Sequence, residues 1–186
     1  MFFFKPKKKL TPDDKILFDK LTKILSFEPI KLEVYKEALR HSSSVNKKEN
    51  QKNNEKLEFL GDAVLSLIVA AVLYEKFPDA KEGELTVLRS NVVCRKSLNK
   101  ISNDLKINDI LTYKNITQKK LQDISIGGNT VEALIGAIFL DRGYNYCEKF
   151  INRIIDMFFP DLHEIYKNNI NYKSIILDYI RCFGGY

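Results

Sequence analysis

The sequence predicts an all-α fold, a helical bundle, and three observations carry that expectation. Apolar residues recur at three- and four-residue spacing in one segment after another. No stretch shows sustained apolar–polar alternation with β-branched enrichment, the mark of a half-buried strand. Pro12, Pro78, Gly83 and Pro160 fall at the edges of the periodic segments, where helices start and stop. At 186 residues, 45% hydrophobic and 29% charged, the chain can bury a core of ordinary size and does not have the composition of a disordered one.

Thr11-Pro12-Asp13-Asp14 opens the first helix, with a hydroxyl cap, a proline at the first helical position and acids at the positive end of the dipole. Ile16, Leu17, Leu21 and Ile24 then mark its inner face. A second helix is expected over residues 32–40, with Val34, Tyr35, Ala38 and Leu39 turned inward. Residues 46–54 are polar and lysine-rich and read as a loop, at whose end Asn53 or Asn54 can cap a long helix running to Phe77. Another helix is expected from Glu84 through Asn99, and onward to Asp104 if the periodicity holds. Residues 106–122 read as a loop. Gly127-Gly128 is expected to break the chain before an apolar helix over 129–141. A turn at Arg142-Gly143-Tyr144 then leads to a last helix over 146–159.

The totals bound the function only loosely. A formal net charge of +6 suits a polyanionic partner, though a solvated basic face explains it equally well. Cys94, Cys147 and Cys182 are scattered and odd in number, which fits a reducing compartment such as the cytoplasm. His41 and His163 have no zinc spacing. The N-terminus puts three phenylalanines before its basic run, the reverse of a secretory signal, and residues 1–10 read as a basic tail. The longest apolar run, residues 63–74, is too short to span a bilayer and reads as a buried core helix.

The chemistry lies in carboxylates placed against the pattern. On the helix that begins near Asn54, Glu58 and Asp62 are about 40° apart around the axis and Glu55 is about 60° from Glu58. Three acids on one stripe repel one another, and partial burial adds a desolvation penalty unless positive charge is supplied. A divalent cation with a taste for hard oxygen, magnesium (Mg2+) or manganese (Mn2+), is the natural compensation. Glu132 is the one charge in the apolar run that follows, and Asn129 stands one turn before it. The plainer alternative remains open at this point: Glu55 and Glu58 lie early enough in their helix simply to complement its dipole. Asp62 and Glu132 are not explained that way.

Glu55-Lys56-Leu57-Glu58-Phe59-Leu60-Gly61-Asp62-Ala63-Val64-Leu65 resembles the signature motif of the ribonuclease III family nearly letter for letter. Ala38-Leu39-Arg40-His41-Ser42-Ser43 resembles the stretch before it, and Glu82-Gly83-Glu84-Leu85-Thr86 with Leu88-Arg89-Ser90 the stretch after it. Gly128-Asn129-Thr130-Val131-Glu132-Ala133-Leu134-Ile135-Gly136-Ala137 resembles the second catalytic motif. The resemblance covers residues 32–159 in order. It implies a homodimeric endonuclease domain over residues 11–165 that cuts double-stranded RNA, leaving 5′-phosphates and short 3′ overhangs, in rRNA and mRNA processing. The short apolar run, for its part, leads to the expectation of no membrane partner. The resemblance also implies that Glu58, Asp62, Asn129 and Glu132 surround the metal, with Asp62, Glu132, Glu58 and Glu55 as the catalytic acids. Arg89, Arg95, Lys96, Lys119 and Lys120 are candidates for the RNA-binding surface.

Two departures stand out. The family usually has Asp where this chain has Asn129, so the site carries one negative charge fewer. Residues 166–186 resemble only the first helix of the double-stranded-RNA-binding domain that family members usually carry. The competing reading is therefore a ribonuclease III-fold RNA-binding protein, ribosome-associated, that cuts weakly or not at all.

Overall fold

The Thr11 hydroxyl accepts a hydrogen bond from the Asp14 N–H at 3.2 Å and opens α1 (Pro12–Leu25). The computed structural model describes residues 10–45, 51–114, 126–164 and 166–167. Lys119, Lys120, Cys182, the tail before Leu10 and nearly all of the C-terminal segment lie outside the described residues. After α1 come α2 (Leu32–Ala38), α3 (Glu55–Lys76), α4 (Glu82–Val93), α5 (Arg95–Asp104), α6 (Ile126–Arg142) and α7 (Tyr144–Phe158), with two short 3-10 turns at Ser42–Ser44 and Ile107–Ile110. Among the described residues no strand forms, and one isolated bridge pairs Arg40 with Thr112.

That bridge ends α2 earlier than its periodicity suggests. Thr112 donates its N–H to the Leu39 carbonyl at 2.8 Å, and His41 donates to the Thr112 carbonyl at 3.0 Å. Backbone groups that would have continued the helix are therefore satisfied elsewhere. On α1 the expected inner face is rotated: Leu21 and Leu25 are buried, while Ile16 is 57% exposed. At the start of α3, Asn53 rather than Asn54 takes the Glu55 N–H, at 3.2 Å, and Asn54 is buried.

The expected single helix from Glu84 breaks in two. Cys94 leaves α4 with extended backbone (φ −67°, ψ 153°). There the Ser97 hydroxyl donates to the Asn91 carbonyl at 2.7 Å, and the Cys94 thiol does so at 3.4 Å. Side chains of this kind compete with the next helical turn for the last carbonyls. Gly127 and Gly128 were expected to interrupt the chain, yet both are buried inside the first turn of α6. The expected break is absent; the small size of Gly128 and Gly136 serves close approach of a neighbouring helix, as the sequence suggests. Gly143, at φ +79°, does make the expected turn, and α7 starts directly after it.

The core is built around α6, which is apolar on nearly every side and buried from Ile126 to Ile138 apart from Asn129 and Glu132. Burying a Leu or Ile side chain contributes about 1.5–3 kcal/mol, against about 1 kcal/mol net for a hydrogen bond. Val131, Leu134, Ile135 and Ile138 therefore hold α6 in place far more than its terminal bonds do. α3 packs along α6 through Leu57, Gly61, Val64, Leu65 and Ile68. At Gly61 the two backbones touch: a Cβ there would overlap the Glu132 carbonyl oxygen, and one on Gly136 would overlap the Leu57 carbonyl oxygen.

By length and composition α3 is long and apolar enough to cross a membrane. It carries Glu55, Glu58 and Asp62 in its first turns and packs against α4, α6 and α7, so the expected buried core helix is buried on one side only. Its outer side stays apolar and open: Phe59 is 82% exposed, Leu67 59% and Tyr74 74%.

Candidate active site

Contact at Gly61 aligns the first turns of α3 with the first turns of α6, which brings Glu58 beside Asn129 and Glu132. Glu58, Asn129 and Glu132 line one cavity of about 260 Å³, closed by Val93, Arg95, Leu98 and Gly128. Asp62 is exposed, one turn along α3 from Glu58, and its charge is felt at Glu132. Glu55 is also exposed and acts on Glu58 and on His41.

The electrostatics are those of a site short of positive charge. Glu132 is pushed up from 4.5 to about 7, first by burial, then by repulsion from Asp62 and Glu58, with Arg95 opposing. Burial also raises Glu58, while a hydrogen bond from Asn129 holds it down; Glu55 and Asp62 repel it and Arg95 relieves it. Asn129 thus does something an ionised aspartate there could not do: its amide lowers the neighbouring carboxylate instead of repelling it. Its remaining carbonyl oxygen is still a donor atom for a cation.

Among the described residues, no three His, Cys, Asp or Glu side chains converge tightly enough to grip an ion between them. Like charges in a partly desolvated cavity favour rotamers that keep them apart. Glu58, Asn129 and Glu132 line the cavity with Asp62 one turn away, and their side chains could offer a cation oxygen atoms.

The predicted basic residues are dispersed. Arg95, at the first position of α5, lines the acid cavity. Lys96 is exposed beside it. Arg89 lines a different groove, of about 510 Å³, between α3 and α4 with Ala70, Leu73, Tyr74, Ala80, Glu82, Leu85 and Thr86. Sequence reading missed Asn99, whose Oδ1 accepts the Gly128 N–H at 2.7 Å from across the helix pair. Nothing in the sequence singles it out, because an Asn inside a polar amphipathic helix is unremarked until its partner is known.

The sequence profile of the Ribonuclease-III-like family matches residues 31–157. The chain is 39% identical to the Ribonuclease 3 of Flavobacterium psychrophilum, over 90% of this chain and 68% of that protein. It is 42% identical to the Ribonuclease 3 of Zunongwangia profunda, over 87% of this chain and 67% of that one. It thus spans about two thirds of the length of these curated relatives. A solved nuclease domain of ribonuclease III from Campylobacter jejuni, described for flexibility in its region involved in dimer formation, matches with a TM-score of 0.70 and 35% identity. That match covers 77% of this chain and 99% of the solved domain. Helix order, the acidic first turn of α3 set beside Glu132 of α6, and these similarities agree: the chain belongs to the ribonuclease III family.

Proposed function

We propose that this chain is a double-strand-specific endoribonuclease that acts as a homodimer in the cytoplasm, in rRNA and mRNA processing, with magnesium as its metal and manganese as a substitute. One observation carries the reading. In a chain of this family, Glu58 of α3 shares one cavity with Asn129 and Glu132 of α6, and burial there, followed by repulsion from Asp62 and Glu58, raises Glu132 to about 7. A set of three carboxylates and one carboxamide fits a hard divalent cation, and the raised Glu132 and Glu58 fit a site completed by positive charge.

Glu58, Asp62, Asn129 and Glu132 would hold the ion, with Glu55 at the edge. When bound, such an ion offsets phosphate charge and acidifies an attacking water. The chain's own residues supply the rest. Asn129 counters the rise of Glu58 without adding charge. Arg95 offers a positive group at the cavity for a phosphate oxygen. In the hydrolysis a water oxygen bonds phosphorus, the bond from phosphorus to the 3′ oxygen breaks, and that oxygen leaves with a proton. A 5′-phosphate remains. Arg89, Lys96, Lys119 and Lys120 would meet the duplex backbone, which A-form RNA presents with little sequence information. The open stripe of Phe59, Leu67 and Tyr74 supports a second copy as its cover, and two sites acting across a dimer would leave short 3′ overhangs.

Asn129 also favours a second reading, an RNA-binding relative that no longer cuts, since the site has one charge fewer and its acids do not converge unaided. One experiment separates the two. Magnesium-dependent conversion of a long RNA duplex to short duplexes, blocked by chelator, is expected. Intact duplex across wide magnesium and manganese ranges, with binding retained, would leave the second reading standing.

A further inference from the structure

The first N–H groups of any helix have no partner within it. In α6 one of them, that of Gly128, is taken by a side chain from another helix: Asn99 Oδ1 of α5 accepts it at 2.7 Å. Gly128 directly precedes Asn129, and Glu132 follows one turn later. The contact is intimate. A Cβ on Gly128 would lie 3.2 Å from both Asn99 Oδ1 and Leu98 Cβ, and one on Gly127 would lie 3.0 Å from Ser102 Cβ and Oγ. α5 therefore rests on bare backbone at the start of α6. It is itself tied down, since the Ser102 hydroxyl donates to Asn108 Oδ1 at 2.9 Å and Asn108 Nδ2 donates to Asn103 Oδ1 at 2.5 Å.

Two consecutive glycines are the least restrained backbone a helix can begin with, and here they sit immediately before two of the four site residues. We infer that Asn99 is a positioning residue for the acid site: by holding the Gly128 N–H it fixes the first turn of α6, and with it the directions of Asn129 and Glu132. This rests on the function proposed above. Leu98 and Arg95 of the same helix face the cavity, so α5 both walls the site and aligns it. Sites of this kind lose function when their members are misplaced by a fraction of an ångström.

Asn99→Ala, Asn99→Leu and Asn99→Asp separate alignment from mere stability. Leu keeps most of the volume without an acceptor; Asp keeps an acceptor oxygen. Two readouts apply to each: the magnesium dependence of cleavage at saturating duplex, and the rise in Tm that magnesium produces without RNA. Expected for Ala and Leu is a magnesium requirement higher on the order of tenfold, a smaller magnesium-induced rise in Tm, and an unchanged KM for duplex. Asp restores most of both readouts. If the Ala variant fails to fold, Leu decides. A wild-type magnesium requirement in Asn99→Leu, whatever its Tm, overturns the inference, as does an Asp variant no better than Leu. A wild-type chain that neither cuts duplex nor gains Tm from magnesium overturns the functional reading itself, and this inference with it.

Discussion

The carbonyl oxygen of Glu132 occupies the place where a side chain on Gly61 would stand, so the two helices that carry the acids meet backbone to backbone. The same residue that contributes a carboxylate to the cavity thereby sets the spacing between α3 and α6. Gly61→Ala must push the helices apart or strain them. A loss of about 3 kcal/mol is expected from such overpacking, or about 6–12 °C in Tm for a chain of this size. Cleavage should fall further than stability, because the acids separate. A thermal melt by circular dichroism reads the first effect, and an unchanged Tm would show that the helices are not this close in solution.

Glu132 makes the metal-free protein pH-sensitive in a definite direction. Its pKa rises from 4.5 to about 7 on folding, so the folded state holds a proton that the unfolded state gives up. That contribution is complete below pH 4.5 and is lost as pH rises through about 7. In chelator, Glu132→Gln should therefore melt higher than wild type at pH 8 and no higher at pH 4.5. Allowing for solvent screening of a partly exposed group, the gain is about 1–2 kcal/mol. The variant should bind RNA and not cut it. A Tm at pH 8 equal to or below that of wild type would remove the electrostatic account.

Asn129→Asp exchanges a hydrogen-bond donor to Glu58 for another negative charge. Metal-free stability should fall, and the magnesium concentration for half-maximal cleavage should fall several-fold, since affinity for hard cations rises with ligand charge. Titrating cleavage against magnesium checks this. An unchanged requirement would mean that Asn129 is not a ligand.

The outer stripe of α3 calls for a change of association rather than of fold. Leu67 is 59% exposed between Phe59 and Tyr74, so Leu67→Arg should leave the melt nearly intact while placing unpaired charge in an apolar contact. Sedimentation equilibrium should shift from dimer to monomer, and cutting of the two strands should cease to be paired. A dimer of unchanged stability would put the interface elsewhere.

Residues whose message is local were legible in the sequence. The Thr11 cap, the Gly143 turn, the long α3 and the apolar α6 follow from short-range rules, as does the clash of Glu55, Glu58 and Asp62 on one stripe. The misreadings share one cause, which is that the deciding partner lay far along the chain or in a competing side chain. Thr112 ends α2, Ser97 and Cys94 split α4 from α5, and α5 needs Gly127 and Gly128 small.

The sequence by itself determined the helical class and the family, and it named the acids proposed here for the site, because periodicity, capping chemistry and an ordered motif all lie within a few residues of one another. Only the tertiary structure decided that Glu132 shares a cavity with Glu58 and feels Asp62, that Asn129 offsets the rise of Glu58, that Arg95 joins the cavity and that Asn99 holds Gly128. The physical reason is range: a helix's own sequence says which face is apolar, but the spacing of two helices is set where their backbones collide, at Gly61 and Gly136.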